Sequence, residues 1–218
     1  MSSSLSKVHV WAIAAGANLT RPRGDKQETL ALSESAASAQ ESLGTWWNVH
    51  SPAEVDETLA WLRKEGHTVR LHAILRGLSS LPEDEVDAYI VNEEEWPVHQ
   101  ARYAWKHRFE FRDGGLEAFD MVRLSFIARA GFTAGWLSKR AAWDAVFEAA
   151  NRLQKGHGSW QEMSQNYLLG RRFWAGGDPK VQVTFDKFAK WLETSEKSPW
   201  HPLPWYMPLK PNFWNRYP

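Results

Sequence analysis

The chain has 218 residues, 43% hydrophobic and 24% charged, which suits one globular domain with a substantial core and excludes global disorder. Its 26 basic side chains are matched by 26 acidic ones, so the basic excess expected of a nucleic-acid binder is missing and no nucleic-acid partner is expected. The absence of cysteine removes thiol nucleophiles, disulfides and thiolate metal sites.

The apolar run Val8 to Leu19 follows Lys7 and imitates a signal peptide. His9 and Asn18 interrupt it, and Thr20-Arg21-Pro22-Arg23 replaces a small-residue cleavage site, so it reads as part of the fold. Nothing elsewhere approaches about 18 uninterrupted apolar residues, so the expectation is a cytoplasmic protein without a membrane partner. Gln27 to Leu43 reads as a helix leading into Trp46-Trp47. Ser51-Pro52-Ala53-Glu54 is a capping box: the Ser51 hydroxyl accepts from the Glu54 amide, and the Glu54 carboxylate is expected to reach back to the Ser51 amide. That helix ends at Gly66, with His67 placed near its C-terminus.

Residues 67–81 fit a strand at their start and a helix at their end, and are read as helix. The acidic stretch from Leu81 is interrupted by Pro97, and a further helix runs from Val98 to about Phe109. Leu116 to Ala130 is apolar nearly all round, the mark of a central helix, with Arg123 inside its Phe119/Phe126 face. Ser138 caps an amphipathic helix carrying Ala142, Trp143, Val146 and Leu153 inward. Ser159-Trp160-Gln161-Glu162 is a second capping box, opening a helix toward Trp174 with Arg171 on its apolar stripe. A last helix covers Val181 to Leu192. From Ser198 to Pro218, six Pro and six aromatic residues in 21 positions predict an extended strap, with Trp200, Trp205 and Trp214 pressed between helices.

The expected architecture is therefore mainly α. Residues 1–197 form a single compact domain of about seven or eight helices, and residues 198–218 form a strap packed on it. One minor strand pair is compatible with residues 67–76 or 107–113.

Several motifs resemble the bacterial domain-of-unknown-function family 1266. They are Ala118-Phe119-Asp120-x-x-Arg123, Arg129-x-Gly131-x-x-Ala134-Gly135, Ala141-Ala142-Trp143, Ser159-Trp160, Gly170-Arg171-x-Phe173-Trp174 and Ser198-Pro199-Trp200-x-x-Leu203-Pro204-Trp205. Trp47, the Leu59 to Leu62 helix and Gly66-His67 match the family's N-terminal half, and the resemblance covers roughly residues 40 to 209. Phe119 stands where the family usually has Trp. What the resemblance implies is a helical fold and a set of key positions, without a mechanism.

Asp120, Arg123, Arg129 and Arg171 form the chief candidate cluster. One reading is a buried ion-pair network that fixes helix packing, with Asp120 satisfying one or more arginines. The other is an anion-binding or catalytic pocket built from guanidinium forks. Glu93, Glu94, Glu95 and Trp96, in an acidic stretch, form a candidate docking surface for a partner protein. Glu95 and His99 have ligand spacing, but Pro97 separates them, so no metal site and no cofactor are expected. No nucleophile elbow or phosphate loop occurs, and Gly114-Gly115 and Gly176-Gly177 read as turns. These features favour a non-enzymatic cytoplasmic protein that binds another protein, in the manner of a toxin-neutralising immunity or secretion-system accessory protein. The alternative is an enzyme or small-anion-binding protein using the Asp/Arg cluster.

Overall fold

The computed structural model describes residues 5–111, 114–175 and 179–210. Among these residues the protein is helical without strands, and it holds eleven α-helices and one 3-10 turn rather than seven or eight helices. The excess has a local origin. The N-terminal apolar run forms two helices, α1 (Lys7–Ala14) and α2 (Ala17–Thr20), and the acidic stretch forms the short α6 (Val86–Asn92). Residues 67–76, one proposed strand site, lie within α5 (Gly66–Leu78); residues 107–110 of the other form a turn, and 112–113 fall outside the described residues.

The helix expected from Gln27 begins only at Ala36, as α3 (Ala36–Trp47), capped by the Ser35 side chain accepting from the Ser38 amide. Upstream of it the chain is held open by groups distant in sequence. Arg129 donates to the carbonyls of Lys26, Thr29 and Leu30 at 2.9, 3.2 and 3.0 Å, and the Asp25 carboxylate accepts from the Ser33 amide at 2.9 Å. A helix would have used those carbonyls itself.

Both capping boxes form, each shifted by one residue from the simple pattern. Ser51 accepts from the Glu54 amide at 3.3 Å and Ser159 from the Glu162 amide at 3.1 Å, as the pattern requires. The glutamates, however, accept from the amides of His50 and Gly158, at 2.6 and 2.9 Å, one position before the serine. They start α4 (Pro52–Lys64) and α10 (Trp160–Ala175).

At the centre lies α8 (Glu117–Thr133), buried from Ala118 to Gly131 except for Arg123, and packed against α2, α3, α4, α5, α9 (Lys139–Gly156) and α10. Its apolar character on all sides is what this environment demands. The remaining elements are α7 (Val98–Lys106) and α11 (Pro179–Thr194).

The C-terminal segment covers the α1, α9 and α10 side of the molecule, as linked turns rather than as the expected extended strap; the amides of Ser198, His201, Leu203 and Met207 each donate to the carbonyl three residues earlier. Trp200 and Trp205 are 3% and 7% exposed, while Trp214 lies outside the described residues. The Trp200 indole donates to the Ala14 carbonyl at 2.8 Å and the Trp205 indole to the His157 carbonyl at 3.0 Å. In return Trp11 and Trp160 donate to the carbonyls of Pro204 and Leu203 at 3.1 and 2.8 Å. Each buried indole N–H thus finds an acceptor, which lets this four-tryptophan cluster be dry without penalty. No helix in the structure is long and apolar enough to cross a membrane among the described residues.

Candidate functional site

The site begins at a glycine. Gly66 sits at φ +53°, in the left-handed region that ends α4, and it also opens α5 with almost no intervening loop. A side chain there would collide with the Asp120 carboxylate, so only glycine lets α8 bring that carboxylate up to the start of α5. Asp120 then caps a helix to which it does not belong. It accepts from the His67 amide at 2.9 and 3.0 Å, from the Thr68 amide at 3.3 Å and from the Thr68 hydroxyl at 3.3 Å. A carboxylate at a helix N-terminus satisfies orphan amides and complements the dipole.

This corrects two expectations. Asp120 is not the ion-pair partner of an arginine; its described salt-bridge contact is with His67, 2.8 Å from Nδ1. His67 lies at the start of a helix rather than at the end of one, so the cation-favouring dipole assigned to it is reversed. An ionised carboxylate only accepts, so Nδ1 carries the proton in this pair. Burial pushes the His67 pKa below its ordinary value, outweighing the opposite pull of Asp120, and Arg123 adds to the lowering.

Arg123 rests on this pair. Its Nη1 is 3.0 and 2.9 Å from the two ring nitrogens of His67, and near-equal separations put it over the imidazole face rather than on a lone-pair axis. Rings enclose it further: its guanidinium carbon is 4.6 Å from the Trp47 centroid, 4.8 Å from Phe119 and 5.5 Å from Trp174. Burial lowers the Arg123 pKa to about 10, which still leaves it charged at neutral pH.

Beyond Arg123 opens a cavity of about 560 Å³ between α3, α8, α10 and α11. Trp46, Trp47, Phe126, Trp174 and Phe185 form its aromatic wall, and Arg23, Arg123 and Arg171 are its cations; among the described residues no carboxylate lines it. Arg171 lies over the Phe185 ring at 3.5 Å, and Arg23 over Phe126 at 4.9 Å. Arg23 is also matched by Asp25 and Glu34 at 3.5 and 3.4 Å. Among the described residues no carboxylate lies in ion-pair reach of Arg123 or Arg171.

The cluster read from the sequence is therefore split by the fold. Arg123 and Arg171 meet at the cavity; Asp120 stands behind Arg123, and Arg129 is fully buried elsewhere, its pKa lowered to about 10 by burial while it ties down residues 26–30. Sequence reading missed Arg23, Phe185 and Tyr167. Tyr167 had a detectable signal, since it precedes Arg171 by one helical turn on the same stripe. Arg23 had none. In the acidic stretch, Trp96 packs on Gly77, whose missing side chain makes room for the ring, and the Glu93 carboxylate accepts from the Tyr89 hydroxyl at 2.7 Å. Glu94, Glu95 and His99 are exposed. No group of three or more metal-ligating side chains converges among the described residues.

Comparison with known proteins places these features in a family. The model of the protein of unknown function family DUF1266 matches residues 42–205, which contain Gly66, His67, Asp120, Arg123 and Arg171. The chain belongs to the DUF1266 family. Two uncharacterised Escherichia coli K12 members of the curated proteins, YbeU and YbeR, are each 22% identical to it over 132 residues, 61% of this chain and 56% of theirs. The chain thus spans about half the length of the curated relatives it matches. No solved structure matches it. Residues 1–41, Arg23 among them, lie outside the region that the DUF1266 model matches.

Proposed function

We propose that this DUF1266 protein binds a small organic anion in the cavity walled by α3, α8, α10 and α11. The observation that carries the reading is a ligand-sized cavity holding Arg123 and Arg171 on aromatic faces with no carboxylate among the described residues of its lining. An arginine that only fixes packing normally spends its N–H groups on buried acids or carbonyls, as Arg129 does. Here the obvious acid, Asp120, has its acceptor capacity spent on the start of α5, and it supports Arg123 through the face of His67. An aromatic seat positions a guanidinium without removing its charge and leaves its N–H edge free for a carboxylate or phosphate oxygen.

Docking of a partner protein at Glu93 to Trp96 has less support, because Trp96 is occupied by its contact with Gly77, leaving the exposed carboxylates alone to meet a partner. The anion reading is tested by thermal shift with 2-naphthoate against its neutral analogue 2-naphthylmethanol. Naphthoate should raise the melting temperature of the wild type and have no effect on folded Arg123→Met or Arg171→Met protein. Equal stabilisation by the neutral analogue, or none by naphthoate or any other naphthyl anion, would overturn it.

A further inference from the structure

The charge balance at the cavity points to a class of anion. Arg123 and Arg171 come together because α8 and α10 cross in close contact: Gly170 lies against Phe119, where a side chain would strike the ring carbons. Phe119 precedes Arg123, and Tyr167 precedes Arg171, by one turn each, so the crossing sets both arginines on the cavity side with the Tyr167 phenol beside them. The two guanidiniums are close enough for each to matter to the other's charge, and Arg171 contributes to the lowering of the Arg123 pKa. Arg23 does not add a third free charge, since Asp25 and Glu34 hold it. Asp186, whose charge is felt at Arg171, is itself bound by Arg172 at 2.7 Å and by Gln182 at 3.0 Å.

One negative charge would leave one of the two guanidiniums without a counter-charge among the described residues; two would match both. Further donors are available. The Arg171 Nε–H has no acceptor among the described residues. The Tyr167 phenol lies beside the Arg171 guanidinium, which has no acceptor atom, so the phenol proton remains to be given elsewhere. Burial pushes the Tyr167 pKa up to about 12, keeping that proton in place at neutral pH. Two guanidinium forks and one hydroxyl suit a tetrahedral, doubly charged head better than a planar carboxylate. Beyond the head, Trp46, Trp47, Phe126 and Phe185 offer a flat apolar wall.

Resting on the anion reading above, we infer that the ligand is a phosphate monoester with an aromatic or otherwise flat apolar body, its phosphate between Arg123 and Arg171.

The test compares 1-naphthyl phosphate, 1-naphthyl sulfate and inorganic phosphate by isothermal titration calorimetry on the full chain. The two esters share a shape, but only the phosphate carries a second charge, lost as pH falls through its second pKa near 6. At about pH 8 the phosphate ester should bind at least roughly tenfold tighter than the sulfate ester, and near pH 5 the two should converge. Any effect of His67 titration on the site is common to both esters and cancels in their ratio. Inorganic phosphate should bind more weakly than its naphthyl ester. Arg123→Met and Arg171→Met should each level the two esters at pH 8. Should either fail to fold, Arg171→Gln, at a half-exposed position, should narrow the ratio by removing one of the two charges while keeping a polar side chain.

Equal affinity for sulfate and phosphate esters at pH 8 would overturn the dianion inference and leave the anion reading standing. Inorganic phosphate binding as tightly as the ester would overturn the assignment of an apolar body. Binding of naphthoate without either ester would also refute the inference, whereas no binding of any naphthyl anion would remove both readings.

Discussion

Asp120 accepts from four donor groups of His67 and Thr68, and the effect of replacing it can be stated. Asp120→Asn puts an amide N–H₂ among amides that need acceptors, so one oxygen and the negative charge are lost at the start of α5. Loss of buried charge-assisted bonds and a cap should destabilise by about 3 kcal/mol, measurable by urea denaturation. Unchanged stability would show that the cap is dispensable. Gly66→Ala combines a strained φ with a collision against the same carboxylate, and should cost at least as much as the Asn substitution. His67 makes a pH prediction with a definite sign. Its folded pKa is depressed, so below its ordinary value of about 6.5 the unfolded chain takes up a proton that the folded protein declines, and stability falls. The loss begins near that pH and levels off below the folded pKa. His67→Gln cannot titrate and should show a flatter stability profile over this range; an identical profile would mean that folding does not shift the pKa of the ring. Asp120 and Arg123 were legible in the sequence as neighbours one turn apart on a central helix. Their division of labour was not, because the helix end that claims Asp120 lies 53 residues upstream.

Among the elements, those governed by local chemistry were the ones readable from sequence. The serine caps of α4, α9 and α10 and the all-round apolar α8 follow from residues within a few positions of one another. The late start of α3 was hidden because Arg129, about 100 residues away, binds the carbonyls that a helix from Gln27 would need. The cavity was hidden for a similar reason: its position depends on how closely α8 and α10 cross, and spacing along one helix carries no such information. Gly170 controls that crossing. Gly170→Ala would set a methyl against Phe119, on a ring held between packed helices, and should destabilise by about 2 kcal/mol. The same change spreads Arg123 from Arg171, so naphthyl phosphate affinity should fall by more than naphthoate affinity. If stability falls while the ratio of the two ligands holds, the crossing does not set the separation of the arginines.

At the scale of the whole molecule the C-terminal turns act as a clasp. Removing everything after Lys197 strips Trp200, Leu203, Trp205 and Leu209 from the core and leaves the Trp11 and Trp160 indole N–H groups without acceptors. Each large side chain contributes about 2 kcal/mol, and each orphaned buried donor costs about 1 kcal/mol or more, a sum comparable with the whole stability of a domain. The truncated chain should lose cooperative unfolding in circular dichroism melts. A native-like transition would show that the clasp is not part of the folding unit.

The clasp also imposes an order on biosynthesis. Trp11 and Ala14 are made long before their hydrogen-bond partners Pro204 and Trp200, which follow 193 and 186 residues later. During most of translation the segment around Trp11 to Ala17, entirely buried in the finished protein, has nothing to cover it. Until Trp200 and Trp205 have emerged, the N-terminal helices lack part of their cover, so a nascent chain stalled before residue 200 should be cleaved there by protease more readily than the finished protein.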